Sequence, residues 1–345
     1  MDRTEIYSRL KSAEGIASLL ALEDFSPVYR EADRVRKEHV GDTVHLRAII
    51  EFSNICKRQC IYCGLNRENK DLPRFRMSRE EIVKTAAEAV AAGYRTIVLQ
   101  SGEEDGISKE WLGAVIEDIK SLTVPGTEAA PAVTVSCGEK DEETYRYLHE
   151  RGADRYLLKH ETADPELYNR LHPCGTLESR VGCLRTLKRL GYETGSGFMV
   201  GLPEQSLETI GSDLLLLASI PCKMAGIGPF ISNPKTPLAG KPNGDPELTR
   251  RAVAIARLLL PDANLPLTTA LSILSHEELS KDGTGIGHDV ENPFEFGANV
   301  IMKKVTPDEY KAAYEIYPAQ FAETHILQDR KDLERMITAY GRRPL

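Results

Sequence analysis

Eight short apolar runs alternate with longer amphipathic stretches from His45 onward, and this alternation most constrains what the chain can fold into. Such alternation is typical of a parallel sheet covered by helices, because parallel strands need long crossover connections. Eight strand-helix units predict an α/β fold, a closed (β/α)8 barrel of the TIM type, which needs about 250 residues. A doubly wound open sheet is the alternative. The eight runs are residues 46–52, 96–100, 132–136, 155–159, 193–200, 224–230, 265–270 and 299–303.

The segments on either side of the alternation predict helices. Residues 1–40 have helical spacing of apolar residues and predict an N-terminal helical extension, before a barrel at residues 41–320. Residues 321–345 predict a C-terminal helix that docks on the barrel. Within the barrel, residues 78–92 predict a helix that begins with a capping box of Ser78 and Glu81. Similar signals predict helices at residues 109–122, 142–151, 177–190, 206–219, 246–259 and 307–316. Residues 274–293 predict a long polar loop, and loops of that length are usually functional.

Three of the seven cysteines, Cys56, Cys60 and Cys63, lie on the loop that follows the first predicted strand. In a barrel this loop belongs to the catalytic face. Thiolates at this spacing can ligate three irons of a cubane and leave the fourth iron open for a non-protein ligand. Structural zinc is the alternative, but it normally has four protein ligands, and no second Cys-x2-Cys pair is present.

Charge and cysteine usage exclude several classes of protein. The formal net charge of −8 and the absence of a basic block argue against nucleic acid as a partner. No uncharged apolar stretch reaches the ~20 residues that span a bilayer, and no secretory signal precedes the fold. An odd number of cysteines favours metal binding in a reducing compartment. We therefore expect a cytoplasmic protein that acts on a small molecule.

The spacing Cys-x3-Cys-x2-Cys, with the aromatic Tyr62 before the last cysteine, resembles the signature of the radical S-adenosylmethionine (SAM) superfamily. The resemblance implies a 4Fe-4S cluster with three cysteine ligands and an open iron that binds SAM. It also implies an external one-electron reductant such as ferredoxin or flavodoxin, because one-electron reduction cleaves SAM to a 5′-deoxyadenosyl radical.

Other segments at the ends of predicted strands resemble further elements of this superfamily. Ser101, Gly102 and Glu103 resemble the element that receives the methionine amino group of SAM. Residues 197–204, which include Met199 and Gly201, resemble the element near adenine. The remaining residues that the resemblance places around the cofactor and its cavity are Ser136, Glu161 and Arg180.

Long strings within residues 40–318, among them GADRYLLKHETADPELYNRLHP and GYETGSGFMVGLPEQ, resemble the FeFe-hydrogenase maturase HydE family. This family is related to methylornithine synthase PylB and, more distantly, to biotin synthase. The resemblance implies an organometallic or other small-molecule substrate in the assembly of the hydrogenase di-iron cofactor, with HydG and HydF as partner maturases. It places Lys159, Thr268, Thr269 and Tyr310 around the substrate.

Three departures from the HydE pattern keep alternatives open. Lys159 stands where the family usually has arginine, no cysteine follows Cys222, and residues 275–293 form an insertion. The insertion carries His276, His288, Asp289 and Glu291. The alternative enzymatic function is that of a paralogue that acts on a small amino acid, as methylornithine synthase does. The non-enzymatic alternative is a carrier of an iron-sulfur cluster or of zinc.

Overall fold

A computed structural model describes residues 1–220, 222–281, 292, 294–318 and 323–345, and for residues 276–281 only the backbone. The strands are β1 (Thr43–Ser53), β2 (Thr96–Ser101), β3 (Ala132–Ser136), β4 (Arg155–Leu157), β5 (Glu193–Ser196), β6 (Met199–Val200), β7 (Met224–Ala225), β8 (Gly228–Pro229), β9 (Pro266–Leu267), β10 (Val300–Lys304) and β11 (Arg343–Pro344). The helices are α1 (Arg3–Arg9), α2 (Ala13–Leu20), α3 (Ser26–Val40), α4 (Arg79–Ala91), α5 (Lys109–Lys120), α6 (Glu142–Glu150), α7 (Pro165–Leu171), α8 (Leu177–Arg189), α9 (Leu207–Ser219), α10 (Pro246–Leu259), α11 (Thr269–Lys281), α12 (Asp308–Lys311) and α13 (Ile326–Ala339).

The main sheet is a parallel barrel. Its strands follow the order β7-β5-β4-β3-β2-β1-β10-β9, and every neighbouring pair is parallel. One further bridge between Met224 and Asn264 joins β7 to the segment before β9 and brings the two ends of the sheet together. The closed barrel expected from the alternation is confirmed, and the open sheet is not formed.

Side chains along each strand alternate between the helices outside and the lumen inside, as the two-residue period of a strand requires. On β1, residues 46, 48, 50 and 52 belong to the apolar core beneath the helices. Arg47 and Glu51 point the other way, into the lumen. The register aligns Glu51 with Gln100 and Gln100 with Ser136, so polar side chains form a ring near the carboxyl ends of the strands.

Glycines split two strands of the barrel near its mouth. The fifth and sixth predicted strands are each divided, into β5 and β6 and into β7 and β8, and β6 pairs with β8 in a small second sheet. Gly197 lies at the first division, where a Cβ atom would come within 2.1 Å of the Gly226 carbonyl oxygen. The close approach of these two backbones requires glycine.

Helices cover the barrel from both ends of the chain. Helix α2 packs on α9 and α10, α3 packs on α10, α1 packs on α2, and α13 lies near α4. The capping box of Ser78 and Glu81 at the start of α4 is present. After α13 the chain returns as β11, which pairs in parallel with the start of β1. None of the described helices is long and apolar enough to cross a membrane.

Two local predictions were wrong. Residues 274–281, expected in a polar loop, continue helix α11. The helix expected over residues 307–316 is shortened to the four residues of α12. Two elements were not foreseen, α7 and β11. The insertion residues His288, Asp289 and Glu291 lie outside the described residues, as does the side chain of His276.

Candidate functional site

The loop that carries the three cysteines follows β1 and is fixed by one arginine. The Arg74 guanidinium donates hydrogen bonds to four carbonyl oxygens on both sides of the cysteines, over distances of 2.7–3.2 Å. A planar guanidinium has five N–H donors and can hold four carbonyls at once, whereas a lysine ammonium has only three donors. The four acceptors are the carbonyls of Asn54, Leu65, Asn66 and Asn69.

A second set of contacts packs this loop against the segment after β10. Asn54 is fully buried and donates to the carbonyl oxygens of Pro73 and Ala313. The Gly64 amide donates to the Ile316 carbonyl at 2.9 Å, and a Cβ atom on Gly64 would lie 2.0 Å from another carbonyl oxygen of that segment. These contacts fix the shape of the cysteine loop.

The three thiols are reduced and partly buried. Burial, followed by the neighbouring Cys56 thiolate, raises the pKa of Cys60 to about 12, and burial with both neighbours raises the pKa of Cys63. The thiols are thus close enough for the charge of one to raise the pKa of another. No three His, Cys, Asp or Glu side chains in the described ranges surround a single metal position. A cubane does not need that arrangement, because each cysteine binds a different iron.

The Ser101-Gly102-Glu103 turn ends β2 directly beside the cysteine loop. Gly102 is needed by the loop itself, since a Cβ atom there would lie 2.2 Å from the Ile55 carbonyl oxygen and 2.9 Å from the Cys56 Cβ. The buried Glu103 carboxylate accepts from the Glu139 amide at 3.0 Å and pairs with Arg58 at 2.8 Å. The Glu103 backbone carbonyl accepts from the Lys57 amide at 2.7 Å. This turn therefore supports the cysteine loop.

Glu161, after β4, is the most unusual residue of the site. Its φ angle of +66° is in the left-handed region that favours glycine. One carboxylate oxygen is buried without a hydrogen-bond partner in the described structure, although the Lys159 ammonium lies 3.4 Å away. The Glu161 charge also contributes to raising the pKa of Cys60 and Tyr62, which places it near the cysteine loop. A strained residue with an unsatisfied acceptor fits a site that awaits a polar ligand.

Arg180, on α8, is buried and already has protein partners. Its guanidinium pairs with the Glu139 carboxylate at 2.8 Å and donates to the Tyr168 hydroxyl at 3.2 Å and the Lys159 carbonyl at 3.3 Å. Burial alone would lower the pKa of Arg180, but Tyr168 and Glu139 hold it above its ordinary value. The structure thus brings Arg180 to the site as part of an ion pair.

An apolar cluster lies between the cysteine loop and the divided strands. Tyr62 and Met199 belong to it, together with Ile61, Leu167, Leu171, Leu202, Phe230 and Leu238. Gly201 has a φ angle of +82°, and a Cβ atom there would lie 2.3 Å from the Gly244 Cα. The predicted adenine element is therefore brought to the same end of the barrel as the cysteines.

The lumen holds several of the predicted substrate residues. Ser136, Lys159, Thr268 and Thr269 lie at or just after the ends of their strands, and all four are partly exposed. Lys304 and Glu51 form a 2.7 Å ion pair there. Burial raises the pKa of Glu51, and Lys304 opposes that shift.

Tyr310 is not brought to this group. Its hydroxyl donates to Glu81 on α4 at 2.7 Å, and its ring stacks on Phe75. The nearby Tyr314 takes the inner position instead and accepts from Gln100 at 3.2 Å. Tyr310 therefore lies against α4, on the outer side of the barrel.

Sequence reasoning missed several groups that shape the site. His172 follows α7, and its ring lies between Cys60 and Tyr62. Burial, then Arg180 and Arg58, lower the pKa of His172 to about 3, so the ring is neutral near pH 7. No motif or regular spacing in the sequence marks His172, Arg74 or Asn54, because their contacts around the cysteines form only when the chain folds.

Comparison with known proteins agrees with this geometry. The family model of the Radical SAM superfamily matches residues 50–217. The FeFe hydrogenase maturase subunit HydE of Thermotoga maritima (strain ATCC 43589 / DSM 3109 / JCM 10099 / NBRC 100826 / MSB8) is 46% identical over 323 residues, 92% of this chain and 86% of that protein.

Two solved structures share the fold. The crystal structure of methylornithine synthase (PylB) has a TM-score of 0.79 at 23% identity and covers 99% of this chain and 97% of its own. The structure of HydG, a maturase of the FeFe hydrogenase, has a TM-score of 0.77 at 17% identity and covers 100% of this chain and 76% of its own. The chain therefore belongs to the HydE family of the radical SAM superfamily, whose members are enzymes that use a 4Fe-4S cluster and S-adenosylmethionine.

Proposed function

We propose that this chain acts as a HydE-type maturase, which uses a SAM-derived radical on a small organometallic substrate during assembly of the FeFe-hydrogenase cofactor. The observation that carries the proposal is the identity of 46% to HydE along 92% of the chain. The site supports it, because the cysteine loop after β1, the turn after β2 and Glu161 after β4 lie together at the carboxyl end of the barrel strands. HydG and HydF as partner maturases, a ferredoxin or flavodoxin as reductant, and a cytoplasmic location belong to this proposal.

Cys56, Cys60 and Cys63 would hold the cluster, which when bound supplies the electron that cleaves SAM. The neighbouring residues suit SAM itself. The buried Glu161 carboxylate oxygen, which has the Lys159 ammonium 3.4 Å away but no hydrogen bond in the described structure, is an acceptor for a hydroxyl or ammonium group. Tyr62 and Met199 offer an apolar surface to adenine. We assign Ser101, Gly102, Glu103, Gly201 and Arg180 to the support of this binding site.

The lumen beyond SAM would hold the substrate. Charged side chains of both signs lie inside the barrel: Arg47, Lys159 and Lys304 are cationic, and Glu51 and Glu161 are anionic. A small, polar and charged substrate matches such a lumen better than an apolar one. Thr268 and Thr269 add hydroxyl groups at the end of β9.

Cell-free maturation tests the proposal. Apo-hydrogenase is incubated with HydG, HydF, SAM, a reductant and the reconstituted protein, and hydrogen evolution is measured. We expect activation with the natural protein and none with Cys60→Ala. Cys222→Ala removes a buried thiol remote from the loop and serves as the matched control. A protein that cleaves SAM but never activates hydrogenase would contradict the proposal, and conversion of lysine to methylornithine would establish the mutase instead.

A further inference from the structure

His172 makes a direct contact with one of the three cysteines. Its Nδ1 lies 3.2 Å from the Cys60 Sγ, and its Nε2 lies 3.4 Å from the Tyr62 hydroxyl oxygen. The residue is 5% exposed. A ring nitrogen at this distance from a sulfur is within hydrogen-bond range.

The imidazole is held in place from several sides. It stacks on the Tyr168 ring at 4.4 Å and meets the Tyr62 ring edge-on at 5.3 Å. The Ile61 amide donates to the Leu171 carbonyl at 3.0 Å, so the backbone before His172 is tied to the cysteine loop itself. The contact with Cys60 is therefore a consequence of two packed loops and not of a freely rotating side chain.

The chemistry of the neighbours decides which nitrogen carries the proton. A cysteine that ligates iron has lost its proton and can only accept a hydrogen bond. A lone pair on Nδ1 would face the sulfur lone pairs, whereas an Nδ1–H group is attracted to them. The Tyr62 hydroxyl can then donate to the free lone pair of Nε2. Both contacts are satisfied only when Tyr62 donates to His172 and His172 donates to Cys60.

We propose that His172 is a positioning residue that donates an N–H hydrogen bond to the Cys60 thiolate and raises the reduction potential of the cluster. The inference rests on the proposed ligand role of Cys60. One-electron reduction adds negative charge to the cluster and its sulfurs, so a donor stabilises the reduced form more than the oxidised form. Tyr62 orients the donor, which gives its hydroxyl a role beyond that of an aromatic surface.

The test is a potentiometric titration of the reconstituted protein, followed by electron paramagnetic resonance with dithionite as the reductant and without SAM. His172→Phe keeps an aromatic ring but has no donor. We expect about a tenfold lower ratio of reduced to oxidised cluster at a fixed potential, a shift of about 59 mV for one electron. His172→Asn places an amide N–H near the Nδ1 position and should return the potential toward the natural value. His149→Phe, on α6, is the matched control and should leave the potential unchanged.

A second measurement needs no variant. In protein labelled with ¹⁵N-histidine, pulsed electron paramagnetic resonance of the reduced cluster should detect hyperfine coupling to one histidine nitrogen. A full cluster in His172→Phe with an unchanged potential would overturn the inference, as would natural protein without a histidine coupling. If His172→Phe assembles no cluster, the hyperfine coupling to histidine in the natural protein tests the hydrogen bond without the variant. Absence of a four-iron cluster from the natural protein would instead contradict the proposed function.

Discussion

Glu161 combines a left-handed backbone with a buried carboxylate oxygen that has no hydrogen-bond partner in the described structure. A non-glycine residue in this region costs about 1–3 kcal/mol. We predict that Glu161→Gly raises the free energy of unfolding by about 1 kcal/mol, because glycine adopts this φ without strain. The same variant should bind SAM more weakly. Urea denaturation and equilibrium SAM binding measure the two effects, and a loss of stability with unchanged SAM affinity would contradict this assignment.

The second prediction at this scale concerns the stability that Arg180 gains from its ion pair with Glu139. Removal of Arg180 leaves the largely buried Glu139 carboxylate with Arg58, at 3.5 Å, as a more distant cation, and the loss of the closer charged hydrogen-bond partner costs about 2 kcal/mol. We predict that Arg180→Ala lowers the free energy of unfolding by about that amount. Arg185→Ala, on the exposed face of the same helix, should change it by less than about 0.5 kcal/mol. Equal effects of the two substitutions in urea denaturation would show that the ion pair is not formed.

The three candidate cluster ligands could be predicted from the sequence, because they lie close together on one loop. Their spacing is therefore visible before folding is considered. The sequence did not predict the partners of that loop. Arg74 and His172 meet the cysteines through folding, and no period or motif marks them. Gly102 lies in the segment that resembles the element for the methionine amino group, and its nearest neighbour is the Ile55 carbonyl of the cysteine loop.

The elements at the barrel mouth give a prediction about Gly102. A Cβ atom there would press on the backbone of the cysteine loop at 2.2 Å. We predict that Gly102→Ala displaces the loop, so that the reconstituted protein retains clearly less than four irons per chain. Gly182→Ala is the matched control, because nothing lies within 4 Å of its Cβ position on α8. That control should keep the cluster and gain about 0.5–1 kcal/mol of stability. Full iron content in Gly102→Ala would refute the close contact.

Elements with strong periodicity could be predicted from the sequence, and short ones could not. The strand at residues 132–136 and the helix at residues 246–259 coincide with β3 and α10. Helix α7 has only seven residues and begins with proline, so its signal is short. Residues 274–281 are polar enough to suggest a loop, yet they extend α11.

The whole barrel depends on contacts between distant parts of the chain. Three backbone hydrogen bonds attach β11 to the start of β1 and the residue before it, from the Arg343 and Leu345 amides and to the Leu345 carbonyl. We predict that deletion of residues 343–345 lowers the free energy of unfolding by about 3 kcal/mol, about 1 kcal/mol for each bond. Arg343→Ala keeps the backbone and should be close to neutral. An unchanged thermal midpoint in the truncated protein would contradict this role of β11.

The number of strand-helix units predicted the closed barrel, because eight parallel strands of this kind close on themselves. The C-terminal return to β1 had no such signal, since two residues of strand have no period. The division of the fifth and sixth strands likewise depends on the meeting of Gly197 and Gly226, which only the folded barrel shows.

The central claim is that Cys56, Cys60 and Cys63 hold a cluster that makes this barrel a SAM-cleaving enzyme. The most direct test is the yield of 5′-deoxyadenosine from SAM after anaerobic reconstitution and reduction with dithionite. The account predicts product from the natural protein and none from Cys60→Ala, with Cys222→Ala close to natural. A natural protein that holds four irons and forms no 5′-deoxyadenosine, or a Cys60→Ala variant that forms as much, would contradict it.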